Sequence, residues 1–111
     1  MAGKTILVQS ETLGRGEEAL GKVLTTNFLR LLTESESKPS SIFFLNSGVK
    51  LACPGSPVLD HLKKLEQQGV EILACSTCLD YFALKDVMAV GKPSTMGKAI
   101  QLMLNSDTVC L

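Results

Sequence analysis

Two cysteines three residues apart, Cys75 and Cys78, interrupt the segment VEILACSTCLDYFALKD (70–86). Before them runs an apolar stretch; after them the apolar residues return at helical spacing. Several chemistries use such a pair. A structural zinc site typically needs two pairs of ligands. The other candidates here, Cys53, Cys110 and His61, are scattered and unpaired, so no metal is expected. A thioredoxin-like protein places C-x-x-C after an early strand. This pair follows the third apolar run, which leaves disulfide exchange open without that fold. A cysteine phosphatase needs an arginine shortly after its nucleophile to hold phosphate, and the chain has none beyond Arg30. Sulfur handling, in which a thiolate accepts a sulfur atom as a persulfide and passes it on, asks only for an activated, accessible thiol. A helix start supplies activation, because free amide hydrogens and the positive end of the helix dipole stabilise a thiolate. The reading against all of these is that cysteine is a small residue often buried as filler. A pair on a strand-to-helix turn favours chemistry, with Cys75 as the ionised sulfur open to solvent.

The elements that must position this turn are legible in order. KTILVQ (4–9) reads as a first strand and SETLGRG (10–16) as the loop after it. Residues 17–32 carry Leu20, Val23, Leu24, Phe28, Leu31 and Leu32 at helical spacing, with Glu17 and Glu18 at the favourable end. SIFFLN (41–46) is a second strand. Over 56–68 Ser56 suits a cap, Pro57 the first helical position, and Gly69 the stop. VEILAC is the third strand, and TCLDYFALKDV (77–87) the third helix with Thr77 as its cap. A short fourth strand falls within 88–96, a last helix over 96–104, and a terminal strand at DTVCL.

Strands and helices alternate, and the strands are short and apolar rather than two-faced. That predicts one domain over residues 1–111: an α/β fold of three α/β/α layers around a mostly parallel, flavodoxin-like sheet of about five strands. Right-handed crossovers bring the C-terminal ends of all strands to one edge. Loop 10–16, loop 46–55 and the cysteine turn meet there. Loop 10–16 is also the candidate phosphate cradle for the alternative of a small flavin- or nucleotide-binding protein, with Tyr81 and Phe82 the rings available for stacking. Cys53 in CPGSP lies on a loop at the same edge, His61 beside the apolar stripe of its helix, and Cys110 in the terminal strand.

Composition narrows the partners. Eleven basic and eleven acidic residues cancel and form no runs, so nothing favours a nucleic acid or an anionic membrane surface. Zero net charge does little to keep copies apart. No apolar stretch approaches the ~18 residues of a membrane span, and the N-terminus lacks a signal-peptide core. The cytoplasm is the expected compartment, where cysteines stay reduced.

The segment FFLNSGVKLACPGSPVLDHLKKLEQQGVEILACSTCLDYFALKD (43–86), with ILVQSETLGRGEEALGKVL before it and VGKPSTM after, resembles the DsrE-like domain of the YedF group, the selenium-metabolism or sulfurtransferase-like proteins. NSGVKL, GSPVLD and C-TCLD are its most specific pieces. The resemblance implies a sulfur (or selenium) relay protein of DsrE type, assembled as a homo-oligomer, trimer or hexamer, and carrying a persulfide on Cys75 at the end of the third strand. Cys78 would then resolve or protect the persulfide. Asn46, Ser47 and Gly48 would shape the neighbouring wall, and Ser76 and Thr77 the turn itself. Partners implied are sulfur donor and acceptor proteins, including a TusA-like carrier of the kind that usually precedes this domain; no cofactor is implied. The chain departs from the pattern at Ser76, usually glycine, and at Thr95, usually asparagine. A DsrE-like module that keeps the fold without the chemistry is the other alternative.

Overall fold

A computed structural model describes residues 3–111. Its strands are β1 (Lys4–Val8), β2 (Ser41–Phe44), β3 (Glu71–Cys75), β4 (Lys92–Ser94) and β5 (Asp107–Cys110). They form one sheet in the order β4-β3-β2-β1-β5, and every neighbouring pair is parallel. The helices are α1 (Glu18–Glu34), α2 (Leu59–Gln67), α3 (Ser76–Tyr81) and α4 (Met96–Asn105), with a 3-10 helix over Asn46–Ala52.

Alternation across the pleat divides the strand residues between two cores. Ile6, Val8, Ile42, Phe44, Ile72 and Ala74 face Leu29 of α1, Leu62 and Leu65 of α2, and Val49 of the 3-10 helix. Leu7, Phe43, Leu73 and Cys75 face the opposite way and pack beneath α4 through Ala99, Leu102 and Met103. This is the expected three-layer α/β/α arrangement. Burial on both faces explains why the strands read as continuous apolar runs. β4 holds Pro93, which lacks an amide hydrogen and is tolerated because β4 is an edge strand.

The helices differ in detail from the sequence reading. In α1 the buried face is Gly21, Thr25, Leu29 and Thr33, while Leu20, Val23, Leu24 and Leu31 are exposed. Small residues on the inner face let α1 lie close to loop 10–16. A Cβ at Gly21 would stand 2.6 Å from that of Thr12, and Thr25 Oγ1 donates to the Glu11 carbonyl at 3.1 Å. In α2 the helix starts at Leu59; Ser56 still receives an amide hydrogen bond, from Val58 at 3.2 Å. α3 begins one residue earlier than expected, with Cys75 rather than Thr77 in the cap position, and ends at Tyr81, beyond which Ala83 turns left-handed (φ 58°). α4 is capped by Thr95, whose Oγ1 accepts from the Lys98 amide at 3.1 Å. Among the described residues no helix is long and apolar enough to cross a membrane.

The 3-10 helix sits against the end of β1 at one position that admits no side chain. A Cβ on Gly48 would lie 2.4 Å from the Val8 carbonyl oxygen, while the Gly48 amide donates to Leu45 at 2.9 Å. Gly48→Ala must push the two segments apart. The expected loss is about 1–3 kcal/mol, read as a lower urea midpoint with unchanged slope. A midpoint equal to wild type would show that the 3-10 helix moves away without cost.

Candidate functional site

β3 delivers Cys75 to the edge where the strand ends gather. Its backbone is extended (φ −63°, ψ 123°) and hands the chain to α3. Its side chain continues the Leu73 face of the pleat, so it lies under α4 among Leu7, Phe43 and Ala99, with 1% of the residue exposed. The sequence suggested a solvent-facing sulfur here, and strand alternation puts that sulfur inside. The helix that begins beside it has only six residues, which leaves little macrodipole to act on it.

Cys78 occupies the outer position. It is half-buried, touches both cores, and lines an open cavity of about 380 Å³ with Asn46, Thr77, Tyr81 and Phe82. The Asn46 amide donates to its Sγ at 3.1 Å. Cys75 is its second polar neighbour. Burial pushes the Cys78 thiol up, the Asn46 hydrogen bond acts against that rise, and the adjoining Cys75 sulfur reinforces it. The lowered pKa that a helix start promises is therefore not what surrounds Cys78.

The rim of the cavity is aromatic. Tyr81 is 85% exposed and meets Phe82 edge-on, centroids 5.2 Å apart. Lys50 Nζ stands 4.4 Å over the Phe82 ring and 3.9 Å from Glu11. That cation fixes one wall of the site, a role not assigned from sequence, where Lys50 was only a letter of NSGVKL.

The other expected site residues divide cleanly. Asn46 and Thr77 border the Cys78 cavity. Ser47 turns toward loop 10–16, its Oγ accepting from the Glu11 amide at 3.3 Å. Gly48 is buried against β1. Ser76 Oγ donates to the Ser94 carbonyl at 2.7 Å and ties α3 to β4. Ser76 lies inside α3 and outside the left-handed region, so replacing the usual glycine carries no backbone strain. Cys53 is buried, donates weakly to the Val49 carbonyl at 3.4 Å, and is pushed up by desolvation. Cys110 is exposed on β5, and all four thiols are free. His61 is half-buried on α2.

Loop 10–16 borders a separate open cavity of about 770 Å³, beside Leu111 at the end of the chain. It lies where β1 separates β2 from β5, the place where sheets of this kind bind ligands. Its lining sets Glu11, Glu17 and Glu18 against Arg15 and Lys22 and includes no aromatic ring. That balance is unfavourable for a phosphate and offers nothing for a flavin to stack on.

The sequence model of the DsrE/DsrF-like family matches residues 5–110. The chain belongs to the DsrE/DsrF-like family. Two solved structures share its fold over the whole of both chains: the YchN protein of E. coli, at 17% identity and a TM-score of 0.76, and MTH1491 of Methanobacterium thermoautotrophicum, a protein of unknown function, at 18% and 0.71. No curated protein matches the chain.

This DsrE/DsrF-like site makes a definite prediction about thiol accessibility. Iodoacetamide applied to the folded protein should label Cys110 and Cys78, while Cys53 and Cys75 react only on unfolding. Because burial raises the Cys78 pKa, its labelling rate should still be climbing as pH passes the ordinary thiol range. Peptide mass spectrometry across pH 7–11 (roughly the span of thiol ionisation) reads both. Fast labelling of Cys75 in the native state, or a Cys78 rate already level near neutrality, would contradict this geometry.

Proposed function

We propose that this protein is a sulfur-relay (or selenium-relay) protein of the YedF type, working through the Cys75–Cys78 pair. The observation that carries the reading is the placement of Cys78. A thiol with one directed amide donor faces an open, aromatic-rimmed cavity, and a second thiol stands directly behind it. Family membership supports the same chemistry.

The resemblance assigns the persulfide to Cys75, whereas exposure favours Cys78 as the sulfur that meets the donor. The Cys78 thiolate attacks the outer sulfur of a donor persulfide, R–S–SH. A Cys78–S–SH persulfide forms and RS⁻ leaves. An acceptor thiolate then attacks the outer sulfur of Cys78–S–SH, takes it as its own persulfide, and restores the Cys78 thiolate. Without an acceptor, Cys75 as a thiolate attacks the inner sulfur, closing a Cys75–Cys78 disulfide and releasing HS⁻. Cys75 thus carries the resolving role. Donor and acceptor are thiol proteins, a TusA-like carrier among them, and the reduced cytoplasm is the compartment that keeps the pair open.

Self-association belongs to this reading. Leu20, Val23, Leu24 and Leu31 form an outward stripe on α1, and Met96, Ile100 and Leu104 another on α4. Stripes of this kind on a chain without net charge favour packing of copies against one another. Sedimentation velocity should give an oligomer, and Leu24→Glu with Ile100→Glu should reduce it to monomer. A monomeric wild type at tens of micromolar (about the concentration such work uses) would remove this part of the proposal.

A specific observation favours one other reading, a DsrE-like binding module without chemistry: the inner thiol is sealed and the outer one has a raised pKa. Incubation with polysulfide followed by mass spectrometry separates the two. The relay predicts a gain of about 32 Da, one sulfur, on Cys78 in Cys75→Ser, the Cys75–Cys78 disulfide that resolves it (a loss of about 2 Da) in wild type, and neither in Cys78→Ser. An adduct that survives Cys78→Ser and disappears in Cys75→Ser would restore the inner cysteine as acceptor. No adduct on either cysteine in any variant and no Cys75–Cys78 disulfide, with Cys110 modified as a positive control, would establish the module.

A further inference from the structure

Two described residues other than glycine adopt positive φ, Asn46 (52°) and Ala83 (58°). Asn46 lines the Cys78 cavity, and Ala83 follows its Phe82 wall. Left-handed backbone costs an ordinary residue free energy, and such residues gather where a site needs the chain held in a particular direction. Asparagine tolerates the conformation better than most.

What Asn46 accomplishes there can be traced atom by atom. β2 ends at Phe44, and Leu45 is still extended, its amide bonded to the Val8 carbonyl at 2.9 Å. The 3-10 helix begins at Asn46, and its first ladder bond runs from the Gly48 amide to Leu45. The Asn46 amide precedes that ladder and has no partner within it. Because Leu45 is extended and bonds to β1, the next N–H, that of Asn46, points the other way along the sheet edge, to the Cys78 sulfur 32 positions later in the chain. The left-handed φ then turns the chain that follows into the 3-10 helix without moving that amide.

We propose that Asn46 is a positioning residue for Cys78. Its left-handed backbone lets the chain turn into the 3-10 helix while the amide hydrogen that extended Leu45 directs at the sulfur stays in place. That hydrogen bond keeps the sulfur at the cavity and stabilises its anionic form. Nothing in this needs the asparagine side chain beyond its tolerance of the turn. The remaining titratable groups about the cavity are the Cys75 thiol behind the sulfur and the Tyr81 phenol at the rim. Lys50 is engaged over Phe82 and with Glu11, and Asp80 pairs with Lys85 at 3.9 Å. The amide is therefore the nearest group that opposes the effect of burial on Cys78.

The test is the pH profile of Cys78 alkylation in the full chain, resolved by peptide mass spectrometry, with circular dichroism and thermal melts as folding controls. Asn46→Gly keeps the left-handed turn available and should hold the Cys78 rate within about twofold of wild type. Asn46→Val cannot adopt it readily. Its profile should move to higher pH, with the rate near pH 8 falling about tenfold, the equivalent of one pKa unit. Asn46→Ala should fall between them and decides the matter should the valine variant not fold. Three equal profiles in folded proteins would overturn the proposal. So would an Asn46→Gly profile displaced as far as that of Asn46→Val, since the side chain rather than the backbone would then be responsible. Alkylation uses no sulfur donor. A shifted profile with no persulfide would leave the positioning role standing and remove the relay reading, and the converse result would do the opposite.

Discussion

The arrangement around Cys78 depends on the close approach of the 3-10 helix to the end of β1. Gly48 meets the Val8 carbonyl where a methyl group could not fit. The contact fixes where the chain goes after β2, and so where Asn46 turns. It also sets Lys50, two residues on, above Phe82. A backbone contact between β1 and the loop after β2 thereby determines the surroundings of a thiol that follows β3. The parallel sheet makes this possible, because it collects all three strand ends at one edge.

The two cysteines show how one turn gives like residues unlike roles. Cys75 obeys the strand, and the pleat assigns it to the face under α4. Cys78 obeys the helix, and nearly one turn on from Cys75 it stands just outside that sulfur, in contact with both cores and with the cavity. C-x-x-C at a strand end thus becomes an inner and an outer thiol rather than two equivalent ones. In the relay proposed above, contact with a protein partner would fall to the outer thiol. The inner thiol is shielded from solvent oxidants and remains adjacent for intramolecular attack.

Much of this was legible in the residues. Periodicity located the helices and the apolar runs located the strands, because burial on both faces leaves a strong signal. The gathering of three loops at one edge followed from alternation alone. The exposure of Cys75 was misread for a physical reason. A turn motif tells where a backbone goes, but pleat phase decides which face a side chain takes, and that phase is fixed by which strands neighbour β3. The inner face of α1 was misread for a related reason. Its buried contacts run through Gly21 and Thr25, so close approach rather than hydrophobicity selected the face. Lys50 over Phe82 and Asn46 beside Cys78 join residues 32 apart, and no local pattern announces such pairs.

The ionisation of Cys78 turns on two opposed effects, of which burial is the larger. Desolvation disfavours the thiolate, and a directed amide favours it. A fully exposed cysteine would ionise more readily, yet it would also surrender a persulfide to any passing thiol. Partial burial slows both events, and the single amide donor opposes only part of that effect. In the relay proposed above, a carrier thiol would have to enter the aromatic rim to reach this sulfur. For a relay, selectivity of transfer matters more than intrinsic nucleophilicity, and a raised thiol pKa is then a useful property of the site and no defect in it. The donor amide comes from backbone, and hydrogen bonds of Leu45 to Val8 and of Gly48 to Leu45 hold the segment on either side of it.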